Sequence, residues 1–169
     1  MPIILWDASG LVKRYYAETG SPTVLKIFEQ IPLSRMYCTF WGYAETFAIL
    51  HRKRNAGILS SATFTKAATK LQEDVLASGD FGVLTIEDDR VLVGLSFVIR
   101  HNLNSNDAAI LATYLRFQAS LPPGSPVCLL AAADQRLIRA FEAEGLKTLN
   151  PERLTVDEVT SLMGAGGTA

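Results

Sequence analysis

Short apolar runs alternate along the chain with segments whose apolar residues recur every three or four positions. Residues 2–6 (PIILW) form a continuous apolar run of strand length. Leu11, Val12, Tyr15 and Tyr16 then fall at helical spacing. A second helix opens with Ser21 as its predicted N-cap and Pro22 at its first helical position, and runs through Phe28. A second strand is expected over 36–40, followed by helices over 41–55 and 61–77, separated at Gly57. Ser60 or Ser61 is placed to cap the later of the two. FGVLTI (81–86) reads as a third strand, and helical patterns cover 88–100 and 106–118. LPPGSP (121–126) concentrates Pro and Gly and predicts a loop. A fourth strand follows over 127–131, a helix over 134–144 ending at Gly145, and a short fifth strand over 146–149 stopped by Asn150–Pro151.

These strands are apolar throughout rather than alternating. Strands of that kind belong to parallel sheets covered on both faces. Interleaved with helices, they predict an α/β fold: a three-layer α/β/α sandwich around a central parallel sheet of about five short strands. Residues 1–151 form the expected domain. Residues 152–169 are the expected extension, a short helix near 156–163 and then a disordered GAGGTA tail. No internal repeat is visible.

Composition narrows the class. The 169 residues suit one domain with a proper core, and 49% hydrophobic with 20% charged residues is ordinary for a globular protein. The start MPIILWDASG has no basic segment before a long apolar run, so a signal peptide is not expected, no membrane span is, and the expected compartment is the cytoplasm. Cys38 and Cys128 lie in strand-like runs and read as free buried thiols, with no zinc spacing. A net charge of −1 argues against a protein that coats long stretches of nucleic acid, yet leaves room for a nuclease whose acids carry divalent cations.

Four acids occupy unusual places. Asp7 follows the first strand directly, and Asp134 follows the fourth at the head of a helix. The carboxyl ends of strands line the ligand crevice in parallel α/β sheets. Taken alone, each reads first as a helix cap. Glu45 lies inside a helix, one turn from Trp41, Gly42, Ala48 and Ile49, and interrupts an apparently apolar stripe. It needs a cation, a hydrogen-bond partner or a wet cleft, or a salt bridge to Arg52 or Lys53. Asp107 falls in the first turn of a helix capped by Asn104 or Ser105, with apolar Ile110 and Leu111 one turn on. Together the four suit Mg²⁺ or Mn²⁺, which prefer hard oxygen ligands. Competing chemistry has little material: His51 and His101 stand in polar or basic surroundings, and there is no Walker A or GxGxxG loop.

The segments ILWDASGLVKRYYAETGS, WGYAETFAILHRKRNAG, SNDAAILATY and AADQRLIRAFEAEGLKTLNP, in that order and spacing, make the sequence resemble the PIN-domain ribonucleases, most closely the VapC-type toxins of toxin–antitoxin pairs. The resemblance spans about residues 3–151 and implies a Mg²⁺- or Mn²⁺-dependent endoribonuclease. Asp7, Glu45 and Asp107 match the family's metal-binding acids, Asp134 the fourth acid, and Ser9 the hydroxyl residue that orders the site. It further implies an RNA substrate, a small antitoxin partner and a homodimer. One departure stands out: where the family often has Thr or Ser shortly before the fourth acid, this chain has Ala132–Ala133. Basic residues following the acids (Lys13 and Arg14, Arg52 with Lys53 and Arg54, Arg136 and Arg139) are candidates for sequence-independent phosphate contacts, each equally readable as a solvated helix face.

Two other functions compete. A PIN-like domain with little or no catalysis would serve as an RNA- or protein-binding module, and metal binding that depends on Asp7 separates it from the enzyme. A phosphatase of the haloacid-dehalogenase kind also begins with Asp after the first strand, but typically carries a second Asp where this chain has Ser9.

Overall fold

A computed structural model describes residues 1–164 of the chain. Five parallel strands form one sheet in the order β3-β2-β1-β4-β5. They are β1 (Ile3–Trp6), β2 (Met36–Thr39), β3 (Gly82–Leu84), β4 (Cys128–Ala131) and β5 (Lys147–Leu149). Helices follow the strands: α1 (Ala8–Leu11), α2 (Ser21–Gln30), α3 (Phe40–Asn55), α4 (Ser61–Gln72), α5 (Asp88–His101), α6 (Ser105–Ser120), α7 (Gln135–Ala143) and α8 (Val156–Gly164).

Alternation along the central strands divides the interior into two cores. Ile4 and Trp6 of β1, Met36 and Cys38 of β2, and Leu129 and Ala131 of β4 face one side, with Leu11, Val24, Ile27, Leu50, Leu71 and Val159 from α1–α4 and α8. Ile3 and Leu5, with Cys128 and Leu130, face the other, against Phe97, Ile110, Tyr114, Leu137 and Phe141 from α5–α7. Side chains of one strand point alternately to opposite faces, so a strand buried on both sides must be apolar at every position. This is the three-layer α/β/α sandwich. Both cysteines are free and buried. No described helix is long and apolar enough to cross a membrane.

Several boundaries differ from those the sequence suggests. Ser21 is the first residue of α2 rather than its cap; Gly20 is the cap, at φ 87°. A Cβ there would also meet the Pro151 backbone at 2.9 Å, so this left-handed position requires glycine. Ser21 instead ties the turn, accepting from Glu18 N at 2.9 Å and donating to the Tyr16 carbonyl. Phe40 belongs to α3, because Thr39 ends β2 by capping the Gly42 amide. The helical segment near Tyr15 is α1 followed by a 3₁₀ turn over Val12–Arg14. Beyond Gln72 the chain makes a π turn over Glu73–Ala77, and β3 is only three residues long. Residues 156–164 form a helix as expected; the tail expected to be disordered lies, past Gly164, outside the described residues. Val159 of α8 is fully buried, and the Thr23 hydroxyl donates to the Leu154 carbonyl.

Candidate active site

The first acid is set by β1. Asp7 continues the central strand, its amide donating to the Ala131 carbonyl at 3.1 Å, and then caps α1. Its Oδ2 accepts from the Ser9 amide at 2.8 Å and from the Ser9 hydroxyl. It is 6% exposed, and among the described residues no cation pairs with it. Ser9 Oγ also accepts from the Ala133 and Asp134 amides at 2.9 and 3.3 Å. One hydroxyl therefore joins the end of β1 to the turn after β4. These amides do for the turn what the side chains of Ala132 and Ala133 cannot.

Asp134 caps α7, its Oδ1 accepting from the Arg136 and Leu137 amides at 2.8 and 3.2 Å. Asp107 lies in the first turn of α6, clasped by Asn104: its amide donates to Asn104 Oδ1, and Asn104 Nδ2 donates to its Oδ2, both at 2.8 Å. Tyr114, two turns further along α6, donates to the Trp6 carbonyl at 2.6 Å and fastens this helix to the end of β1. Glu45 comes from the second turn of α3, where Asn106 Nδ2 reaches its Oε2 at 3.4 Å.

The buried stripe of α3 is Gly42, Thr46 and Leu50, not the face carrying Trp41. Gly42 faces the end of the sheet; a Cβ there would meet Thr39 Oγ1 at 3.3 Å and stand in ordinary contact with the Trp6 carbonyl at 3.8 Å. Glu45 lies at the edge of this stripe, and Trp41 is 46% exposed. Glu45 thus interrupts no continuous apolar face; it borders one.

The four carboxylates feel one another. Burial raises the Asp7 carboxyl above its ordinary value of 3.8; the Ser9 hydrogen bonds oppose the rise and Asp134 adds to it. Burial also raises Glu45, with Asp7 adding and Arg52 opposing. Asp107 is pushed up to about 6, first by burial, then by Asp7, Asp134 and Glu45, with Arg136 opposing. A like charge nearby disfavours ionisation. None of the four acids forms an ion pair among the described residues.

The structure therefore gathers Asp7, Glu45, Asp107 and Asp134 at the carboxyl end of the sheet without packing them into a cage. Among the described residues no group of three His, Cys, Asp or Glu is spaced to hold a metal ion. The donors still fit Mg²⁺ or Mn²⁺ chemically: all are hard oxygens, none is neutralised by a cation, and the buried Asn106 Oδ1 beside them has no hydrogen-bond partner. Mg²⁺ keeps several waters and uses one or two carboxylates, so an open acidic rim meets its needs. Asn106 was missed by sequence reasoning; its position beside Asp107 was the available signal.

The basic candidates divide. Lys13 is 3% exposed and held between Glu18 at 3.0 Å and Glu152 at 2.6 Å. It is a buried structural cation and not a phosphate contact. Arg14 lies over the Phe28 ring and faces Asp74 at 3.5 Å. Lys53 pairs with Glu18 over Tyr16, and Arg54 stacks on Phe64. Arg52, Arg136 and Arg139 are exposed and unpaired among the described residues. A 330 Å³ cavity lined by Val83, Thr113, Arg116 and Phe117 lies away from the acids, between β3, α5 and α6.

Topology and acid placement together define a PIN-like fold. Solved structures agree. The chain superposes on a protein of Pyrobaculum aerophilum with TM-score 0.61, at 16% identity, covering 97% of this chain and 96% of the other. It superposes on VapC20 of Mycobacterium tuberculosis, described as a sarcin–ricin-loop-cleaving toxin, with TM-score 0.60 at 17% identity, covering 85% and 95%. A toxin–antitoxin complex from Klebsiella pneumoniae gives TM-score 0.58 at 13% identity, covering 89% and 99%. At these identities the likeness is one of fold. No protein-family model matches the chain. No curated protein matches it either.

Proposed function

We propose that this chain is a Mg²⁺- or Mn²⁺-dependent endoribonuclease and the toxin of a toxin–antitoxin pair. The observation that carries the reading is the buried Asp7 carboxylate, unpaired by any described cation and within electrostatic reach of Glu45, Asp107 and Asp134. When bound, the divalent cation supplies charge neutralisation and a water of lowered pKa at neutral pH. Asp7 and Asp107 are the proposed principal ligands. Glu45 is a further ligand or orients the attacking water, and Asp134, with one oxygen committed to the α7 amides, offers the other. Ser9 fixes the Asp7 carboxylate. Arg52 and Arg136, exposed and without an ion pair among the described residues, are the proposed phosphate contacts. The same fold in a toxin that cleaves RNA and in a toxin–antitoxin complex supports RNA as substrate and a small antitoxin as partner. The exposed stripe Leu92, Leu95 and Ile99 on α5 supports association with such a partner or a second copy.

The test is cleavage of ribosomal and transfer RNA by the purified chain. Activity is expected with Mg²⁺ or Mn²⁺, loss with EDTA and recovery on re-addition; RNA left intact under all three conditions would overturn the reading. Metal should also stabilise the fold: at 100 times its Kd, Mn²⁺ adds about 2.7 kcal/mol. A melting scan with and without EDTA reads this directly.

Ser9→Ala separates orientation from ligation. It removes the hydroxyl that holds both Asp7 and the 133–134 turn, leaving every carboxylate in place. Loss of such a supporting bond typically costs about 10–100-fold in activity or metal affinity. Cleavage rates of Ser9→Ala equal to those of the parent would show that this bridge is dispensable.

A further inference from the structure

Trp41 presents an exposed indole. It is 46% exposed at the start of α3 and joins no aromatic pair among the described residues. Phe40 before it is likewise exposed, whereas Phe47 meets Phe64 edge-on at 5.6 Å, with His51 on the same ring. Trp41 and Glu45 are one helical turn apart and share a face. Side chains in a helix lean toward its N-terminus, so Glu45 leans toward Trp41, which sits in the first turn of α3 just past the carboxyl end of β2. Arg52, exposed and without an ion pair, lies near enough to Glu45 to lower its proton affinity, and Arg136 does the same for Asp107.

A flat exposed ring, an acidic centre and free arginines around it match the repeating parts of a single-stranded nucleic acid. The arginines take phosphates and the ring takes a base. Base–aromatic stacking accepts any base, because every base has a π-face. A paired base has both faces covered and offers none to a side chain. Building on the ribonuclease reading, we propose that Trp41 is a substrate-positioning residue that stacks on an unpaired base of the RNA next to the cleaved bond.

The two tryptophans make this directly readable. Trp6 is fully buried, so RNA-induced quenching that Trp41→Phe removes belongs to Trp41. In an Asp7→Asn background that leaves RNA uncut, a single-stranded ten-nucleotide RNA is expected to quench the emission. The same RNA in a duplex, or abasic, is expected to quench little. In the otherwise unaltered enzyme, Trp41→Ala should raise KM about tenfold, within the range for loss of one stacked base, with kcat changed less than twofold. Trp41→Phe should recover most of that loss; a general packing defect would lower kcat and thermal stability instead.

An unaltered enzyme that cleaves RNA while Trp41→Ala keeps its KM, or equal quenching by the abasic strand, overturns the stacking and leaves the ribonuclease reading standing. Emission that ignores RNA but shifts with an antitoxin also overturns it and assigns Trp41 to a protein contact. Base-dependent quenching without metal-dependent cleavage supports the stacking and overturns the ribonuclease reading.

Discussion

Asp7→Asn is expected to reduce RNA cleavage by at least about 10³-fold, close to 4 kcal/mol of barrier. The same substitution should leave the fold intact, and in the absence of metal it should stabilise it. Asparagine keeps a side-chain oxygen for the Ser9 amide and hydroxyl, so the cap of α1 survives. What it removes is a charge enclosed at 6% exposure. Burial raises the folded-state pKa of Asp7 above its ordinary 3.8, so the folded chain binds its proton more tightly than the unfolded chain does. Stability then falls as pH rises, beginning near the unfolded value and continuing until the folded pKa is passed. In EDTA the parent loses stability as pH rises through this range and the Asn variant does not. Below pH 3.8, where Asp7 is protonated in both states, the advantage should vanish. With Mn²⁺ the order reverses, because the parent gains the metal's binding energy and the variant gains little. Melting scans of both proteins at pH 3 and pH 7.5 in EDTA, and at pH 7.5 with Mn²⁺, check these outcomes. An Asn variant less stable than the parent in EDTA at neutral pH would show that Asp7 serves the fold as a charged group.

The two-faced burial of the sheet was legible in the sequence, because β1 and β4 are apolar at every position and only a doubly covered parallel strand requires that. Asp7 was legible for the same reason: it is the first polar residue after an uninterrupted buried strand. The α3 face was not. Periodicity alone put Trp41, Gly42 and Ile49 on one apolar stripe, whereas the packed face is Gly42, Thr46 and Leu50. A glycine and a threonine whose hydroxyl is satisfied by the Gly42 carbonyl leave little hydrophobic signature. The basic residues failed differently. Lys13 and Arg14 follow Asp7 in sequence, but the 3₁₀ turn over Val12–Arg14 turns Lys13 inward, where Glu18 and Glu152 enclose it. Glu152 is 139 residues away from Lys13, and no local pattern announces that pairing. Ser9 shows a partial case. Its link to Asp7 is local, but its bonds to the Ala133 and Asp134 amides depend on β1 and β4 being neighbours in the sheet.

The same closeness of β1 and β4 makes Gly10 the most sensitive position for stability. A Cβ at Gly10 would stand 2.4 Å from the Ala131 carbonyl oxygen and 2.9 Å from its carbon. These are backbone atoms of a central strand, and Ala131 also pairs with Trp6 and Leu149. Neither side can rotate away, so Gly10→Ala must move α1 off the sheet. Overpacking of this kind costs about 3 kcal/mol or more when the backbone itself has to shift. For a chain of this size that lowers Tm by about 6–12 °C. The displacement also carries Ser9 away from the Ala133 and Asp134 amides, so cleavage should fall even below the melting range. Gly57 provides the control: it too is a glycine, but a Cβ there meets nothing within 4 Å. Its φ of 73° still gives Gly57→Ala a cost, about 1 kcal/mol for a left-handed alanine. That cost carries no reason for activity to change at temperatures where the variant is folded. Thermal scans and cleavage rates of the two variants side by side distinguish them. A Gly10→Ala protein that melts and cleaves like the parent would mean that α1 does not sit against β4 as tightly as this geometry requires.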